Sequence, residues 1–312
     1  MSKKILSVII PVYNEEEMLD ELLKHLDALD KNVPDYRFEF LFIDDNSDDS
    51  TLEIIKQRAE TDSRISFVSF SRNFGKEIAM LAGFDACIGE VAVVIDADLQ
   101  DPPELIPSMI EYYEQGYDDV YARRSNRKGE SFVKKLTSKM YYRVLQWLSD
   151  VQVQVDTGDF RLLSRKCIDA LSSMRERDRN TKALFSWIGY KKKEILYERN
   201  GRFAGTTKWS YPKLMNLAIS GIVSSSTKPL RIVTGLGFMT ALIGFVYICI
   251  IVVQTFLGNH LDGWPSMMAT IIFLGGVQLI SLGVIGEYIG RIFIESKKRP
   301  PYLVIDQKVH EK

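Results

Sequence analysis

Val91-Ala92-Val93-Val94-Ile95-Asp96-Ala97-Asp98-Leu99-Gln100-Asp101-Pro102-Pro103 is the stretch from which the fold is read. Five apolar residues, four of them β-branched, predict a strand buried on both faces, and the two prolines stop it. Asp96 and Asp98 stand at its exit, one residue apart. Hard oxygen ligands at a strand's end suit Mg²⁺ or Mn²⁺ held against a diphosphate.

Outward from this strand, apolar runs and helical periods alternate. Ile5–Ile10 reads as a strand closed by Pro11, and Glu15–Leu29 as a helix. Glu39–Ile43 reads as a strand ending at Asp44-Asp45, after which Ser50 and Glu53 have the spacing of a capping box. Ile65–Phe70, Val91–Ile95 and Asp119–Ala122 read as strands, Lys76–Cys87 and Glu104–Gln115 as helices. That order predicts an α/β domain, a mostly parallel sheet with helices on both faces. Ligands of such sheets bind beyond the carboxyl ends of the strands. Four polar clusters fall there: Pro11–Glu15, Asp44–Ser47, Ser71–Lys76 and Asp96–Asp98. With no GxGxxG and no Walker A pattern, dinucleotide oxidoreductases and P-loop ATPases lose their main support.

The net charge of −1 conceals an asymmetry: residues 1–120 carry 10 Lys and Arg against 27 Asp and Glu, and the remainder 30 against 14. An acidic front suits metal chemistry; a basic rear suits an anionic ligand or surface. The three cysteines (87, 167 and 249) and three histidines (25, 260 and 310) are scattered, which argues against disulfides and zinc and for a reducing compartment. The Met-Ser-Lys-Lys start leads directly into a strand, so no cleavable signal peptide is expected.

Ile232–Leu257 and Trp264–Gly286 contain no charged residue over 26 and 23 positions, each longer than the roughly 20 residues that cross a bilayer. Lys228 and Arg231 precede the first span; Arg291, Lys297, Lys298 and Arg299 follow the second; the loop 258–263 has no Lys or Arg. The positive-inside rule then predicts a two-helix transmembrane hairpin in the inner or plasma membrane, with both termini cytoplasmic. Glu287 and Arg291 have the spacing of an ion pair. Ser131–Ser149 and Pro212–Thr227 read as amphipathic helices in the membrane surface.

These pieces resemble the family-2 glycosyltransferases of the GT-A (Rossmann-like) fold. The resemblance is closest to polyprenyl-phosphate glycosyltransferases, such as bactoprenol glucosyltransferases and dolichyl-phosphate mannose synthase. It is carried by Ser7–Glu16, Ile43–Thr51, Arg72–Lys76, Asp96–Glu104, Asp156–Leu162 and Arg202–Ser210, in that order. It implies five regions: 1–130, binding nucleotide sugar and metal; 131–211, the acceptor side; 212–231, a juxtamembrane helix; 232–291, two transmembrane helices; and 292–312, a cytoplasmic tail. It further implies that Pro11, Tyr13, Glu15, Asp44, Lys76 and Asp96 bind the donor, that Asp96, Asp98 and Gln100 surround Mg²⁺ or Mn²⁺, and that Asp159 is the catalytic carboxylate, with Asp156 second. Arg123, Arg202 and Lys208 would meet the acceptor and diphosphate phosphates. The Gln-x-x-Arg-Trp motif of processive members is absent; Gln146-Trp147 lacks its spacing and arginine.

The expected reaction is inverting, metal-dependent transfer of one hexose from a nucleotide sugar, UDP-glucose first, to undecaprenyl phosphate, supplying a cell-envelope glycan. GDP-mannose, UDP-GlcNAc and UDP-aminoarabinose are alternative donors, and a non-catalytic membrane binding module is the alternative from another class. The expected partners are the lipid bilayer, further copies in a homo-oligomer, and a flippase and a second glycosyltransferase in the same pathway. Nucleic acid is not among them.

Overall fold

The computed structural model describes residues 3–124, 157–197, 227–257 and 263–310. β1 (Lys4–Val12), α1 (Glu16–Asn32), β2 (Tyr36–Asp44), α2 (Thr51–Thr61), β3 (Ile65–Phe70), α3 (Lys76–Ala86) and β4 (Val91–Val94) alternate as the hydrophobic pattern requires. A 3₁₀ turn (Pro103–Leu105) leads into α4 (Ile106–Glu114), then β5 (Asp119–Arg124), β6 (Thr157–Ser164), α5 (Arg165–Ser173), α6 (Thr181–Trp187) and β7 (Lys192–Tyr197). Two long helices, α7 (Lys228–Phe256) and α8 (Trp264–Ser296), precede a last strand, β8 (Val304–Lys308).

The eight strands form one sheet in the order β7-β5-β6-β4-β1-β2-β3-β8. β1 to β4 are mutually parallel, β5 and β7 share their direction, and only β6 and β8 run against it. The sheet is therefore mostly parallel and GT-A-like. Apolar side chains on its two faces form two cores. One gathers Val8, Ile10, Phe40 and Phe42 with Leu19, Leu22 and Leu26 of α1. The other gathers Ile9, Leu41 and Ile43 with Ile78, Met80 and Phe84 of α3 and Phe185 of α6. The alternation within each strand assigns its residues to one core or the other.

Two local expectations are revised. β1 runs through Pro11 to Val12, because β4 stops pairing at Ile9 and the missing Pro11 N–H costs no ladder bond. The Ser50/Glu53 capping box does not form: Ser50 makes no side-chain cap bond, and the Thr51 amide donates to Asp49 Oδ1 at 3.0 Å. The tail after α8 contributes β8, antiparallel to β3. Tyr302 stacks on Phe70 with ring centroids 5.1 Å apart and hydrogen-bonds Asp85 at 2.7 Å. The predicted interfacial helix Ser131–Ser149, and all of Pro212–Thr227 except Thr227, lie outside the described residues.

α3 packs so closely on β1 that a Cβ on Gly83 would lie 2.2 Å from Ile9 Cγ2. Gly83→Ala is accordingly expected to destabilise the protein by about 1–3 kcal/mol through overpacking. Chemical denaturation of wild type and variant measures this, and an unchanged midpoint would contradict the tight fit.

α7 and α8 are long and apolar enough to cross a membrane. Large apolar side chains point outward on both, including Phe238, Ile243 and Phe256 on α7 and Ile272, Leu279 and Ile292 on α8. Such surfaces are stable only when something apolar covers them. At the far end of α8, Arg291 donates to Glu287 Oε1 at 3.2 Å, the predicted pair, and also meets Asp178. The Arg177 amide donates to Glu295 at 2.8 Å, so the loop between α5 and α6 is tied to the end of α8.

Candidate active site

The carboxyl ends of β1, β2 and β4 and the start of α3 enclose a cleft of about 370 Å³. Pro11, Val12, Tyr13 and Glu15 line it from β1, Asp45 from β2, Asn73, Gly75, Lys76 and Ala79 from the α3 side, and Asp96, Ala97 and Asp98 from β4. Of the residues singled out in the sequence, Pro11, Tyr13, Glu15, Lys76, Asp96 and Asp98 are thus brought together.

Asp159 joins them through strand direction. β6 runs antiparallel to β4 with Val94 opposite Arg161, so its first residues lie at the rim where β4 ends. The same register carried two residues on sets Asp159 opposite Asp96. Lys76 Nζ bridges the two, 2.6 Å from Asp96 Oδ1, 2.8 Å from Asp96 Oδ2 and 2.6 Å from Asp159 Oδ2. Lys182, from the first turn of α6, stands 3.9 Å from the other Asp159 oxygen.

Burial by itself would raise the Asp159 carboxyl pKa; Lys76, with Lys182 and Arg161, outweighs it and holds the group below the usual aspartate range. Burial works against the Lys76 ammonium as well, and Asp96 and Asp159 overcome it and hold its pKa above the ordinary lysine value. The Lys76 side chain remains 41% exposed although its ammonium is held by two carboxylates. Since the Asp159 pKa is lowered on folding, the pairing's stabilisation is fully present above the ordinary value of 3.8 and is lost on acidification below it. Burial, then Asp98, Asp96 and Asp49, push Glu15 up to about 7.

Three of the expected residues do not line the cleft. Asp44 is fully buried and does not line the cleft; it accepts from Ser69 Oγ at 2.7 Å and the Ser47 amide at 3.1 Å. It shares the pleat face of Phe40 and Phe42. Asp45, on the other face, meets the cleft and accepts from the amides of Phe74 at 2.6 Å and Gly75 at 2.8 Å. Gly75 has φ +93°, a conformation that favours glycine, and this turns both amides toward the carboxylate. Counting parity along β2 would have found Asp45. Gln100 is only 2% exposed and does not reach the cleft. Leu99, at φ +52°, reverses the chain after Asp98 and Gln100 turns inward. Arg123 lies on β5 and pairs with Glu194 of β7 at 2.9 Å, so it is not brought to the cleft. Lys182 carried no sequence signal, because its role depends on where α6 docks. Asp156, Arg202 and Lys208 lie outside the described residues.

The donor set fits a divalent cation completed by a ligand. Asp96 and Asp98 both face the cleft, and among the described residues one Asp98 oxygen accepts only the Gln100 amide, at 3.1 Å. Among the described residues no three His, Cys, Asp or Glu form a ligating cluster. Mg²⁺ and Mn²⁺ sites on phosphate substrates need only one or two carboxylates, the phosphates supplying further oxygens.

Residues 7–172 match the glycosyl transferase family 2 profile, and residues 228–292 match the GtrB C-terminal hairpin. An uncharacterized glycosyltransferase of Synechocystis sp. is 46% identical over 303 residues, covering 96% of this chain and 95% of its own. Bactoprenol glucosyl transferase of Shigella phage SfX is 42% identical over 304 residues, covering 97% and 99%. The crystal structure of mannosyl-3-phosphoglycerate synthase from Rubrobacter xylanophilus is similar at 16% identity and TM-score 0.49, over 73% of this chain and 74% of that one. With the cleft at the carboxyl rim of the sheet and a hairpin of the matching kind behind it, the chain belongs to glycosyl transferase family 2 and is a glycosyltransferase.

Proposed function

We propose that this enzyme transfers one hexose, glucose from UDP-glucose, to undecaprenyl phosphate at the cytoplasmic face of the membrane, with inversion at the anomeric carbon. The observation that carries this reading is the line Asp98, Asp96, Lys76, Asp159, Lys182, which runs from the open cleft to the loop tied to α8. The 42% identity to bactoprenol glucosyl transferases along almost the whole chain supports the same acceptor and sugar.

Asp96 and Asp98 would hold the divalent cation against the donor diphosphate. When bound, the ion offsets negative charge that develops on the leaving nucleoside diphosphate. Tyr13, 43% exposed, and Pro11 offer a surface for the base, and Asp45 lines the same cleft. Lys182 is half exposed beside Asp159, on the side of the loop that Arg177 and Asp178 tie to α8. An acceptor phosphate arriving from the lipid would meet that ammonium first, and its placement supplies the proximity that the transfer needs.

Asp159 is held ionised by Lys76, and a phosphate monoester with a second pKa of about 6 is mostly dianionic near neutrality. Asp159 therefore orients the acceptor rather than deprotonating it. Asp159→Asn is expected to lower kcat by a factor that stays constant from pH 7 to 9. A deficit that fades as pH rises would assign it proton removal instead.

The sheet supports the proposed topology. The chain leaves the catalytic domain into α7 and returns from α8 into β8 of the same sheet. If the hairpin spans the bilayer, both its outer ends lie on the catalytic side. That end carries Lys228, Arg231, Arg291, Lys297, Lys298 and Arg299, so it is the cytoplasmic one. The deciding experiment incubates the detergent-solubilised full chain with undecaprenyl phosphate, Mn²⁺ and a panel of radiolabelled nucleotide sugars. Lipid-extractable label from UDP-glucose above all others is expected. A preference for GDP-mannose, UDP-GlcNAc or UDP-aminoarabinose would replace the donor, and no transfer from any would overturn the reading.

A further inference from the structure

Lys76 donates hydrogen bonds to Asp96 Oδ2 and Asp159 Oδ2, and its ammonium also lies 2.6 Å from Asp96 Oδ1. Both oxygens of Asp96 are thereby engaged by the ammonium. A divalent cation needs at least one of them, at about 2.0–2.1 Å for Mg²⁺. An ammonium and a divalent ion on one carboxylate repel strongly, so the two compete for Asp96.

We propose that Lys76 is a placeholder cation that yields Asp96 to the metal and turns to the donor diphosphate, which makes metal and nucleotide binding mutually reinforcing. This rests on the assignment of Asp96 and Asp98 to the metal. Lys76 opens α3 just after Gly75, and both line the cleft, and the Lys76 side chain is exposed enough to swing. Asp159 Oδ2 is its second anchor, so moving off Asp96 does not leave the ammonium unpaired. Metal alone must displace Lys76 with no new anion to receive it. Metal with a nucleoside diphosphate supplies that anion. Each ligand then strengthens the other by the same factor, as linkage requires.

The test titrates Mn²⁺ by electron paramagnetic resonance into the full chain in detergent, with and without UDP. In wild type, UDP is expected to tighten Mn²⁺ at least about fivefold, and Mn²⁺ to tighten UDP equally. Lys76→Met is expected to tighten Mn²⁺ by a similar factor without UDP and to remove most of the coupling. Lys76→Arg, which keeps the charge, should behave like wild type; if Lys76→Met does not fold, Lys76→Gln takes its place. Mn²⁺ affinity that is unchanged or weaker on neutralising Lys76 would overturn the placeholder role. Asp96→Asn separates the two claims: lost Mn²⁺ binding there upholds the metal site whatever Lys76 does, and retained binding overturns both.

Discussion

Asp96→Asn is expected to lower kcat about a hundred- to a thousandfold, the usual effect of removing one preorganised group that stabilises charge developing in a transition state. The substitution is isosteric, so the loss follows from charge. Asp96 is where three demands meet: it faces the cleft, it holds Lys76, and by register it stands opposite Asp159. Steady-state rates at saturating donor over a range of Mn²⁺ concentrations measure the effect, with Asp98→Asn as the companion. Because Asp98 makes no contact with Lys76 among the described residues, its loss should be reduced more by raising Mn²⁺ than that of Asp96. A drop below about threefold in both variants would remove the carboxylates from the chemistry.

The largest effect on stability is expected away from the cleft. Arg161 and Asp119 form an ion pair at 3.1 Å with side chains 1% and 0% exposed. The guanidinium lies 3.6 Å from the ring centre of Phe185, and Lys192 approaches the same carboxylate at 3.9 Å. Burial presses the Asp119 pKa upward while Arg161 and Lys192 oppose it. Asp119→Ala would leave two cations around an empty place in the interior. Breaking one side of a buried pair costs about 3–5 kcal/mol, which for a chain this long lowers Tm by on the order of 10 °C. Thermal or chemical unfolding measures it, and a loss under about 1 kcal/mol would show that water reaches the pair. Replacing all three polar groups together, as Asp119→Leu, Arg161→Met and Lys192→Met, should recover much of the stability. Arg161 also sits two residues from Asp159 on the same face of β6, so activity should fall with Asp119→Ala beyond what unfolding explains.

The site was partly legible because its first four clusters follow strands whose composition announces them. Asp96 and Asp98 follow a β-branched run; Pro11, Tyr13 and Glu15 follow another; Lys76 opens a helix after a glycine. Such signals are local, since burial on both faces demands apolar runs and turns demand glycine, proline and aspartate. The expected residues that do not line the cleft share a different cause. Asp44 and Asp45 differ only in pleat parity, and Gln100 was turned inward by the left-handed backbone at Leu99. Arg123 was drawn to Glu194 by the pairing of β5 with β7.

Sequence alone determined the alternating α/β order, the carboxylates at the end of β4, the two apolar helices and the family resemblance. These depend on composition and spacing over a few residues to a few dozen, where side-chain period and hydrophobicity decide the outcome. Tertiary structure alone decided that β6 runs against β4, which brings Asp159 to the rim beside Lys76 and Asp96, and that the tail returns as β8 to close the edge at β3. Strand direction and edge pairing are settled by hydrogen bonds between segments far apart in the chain, and no local pattern encodes them.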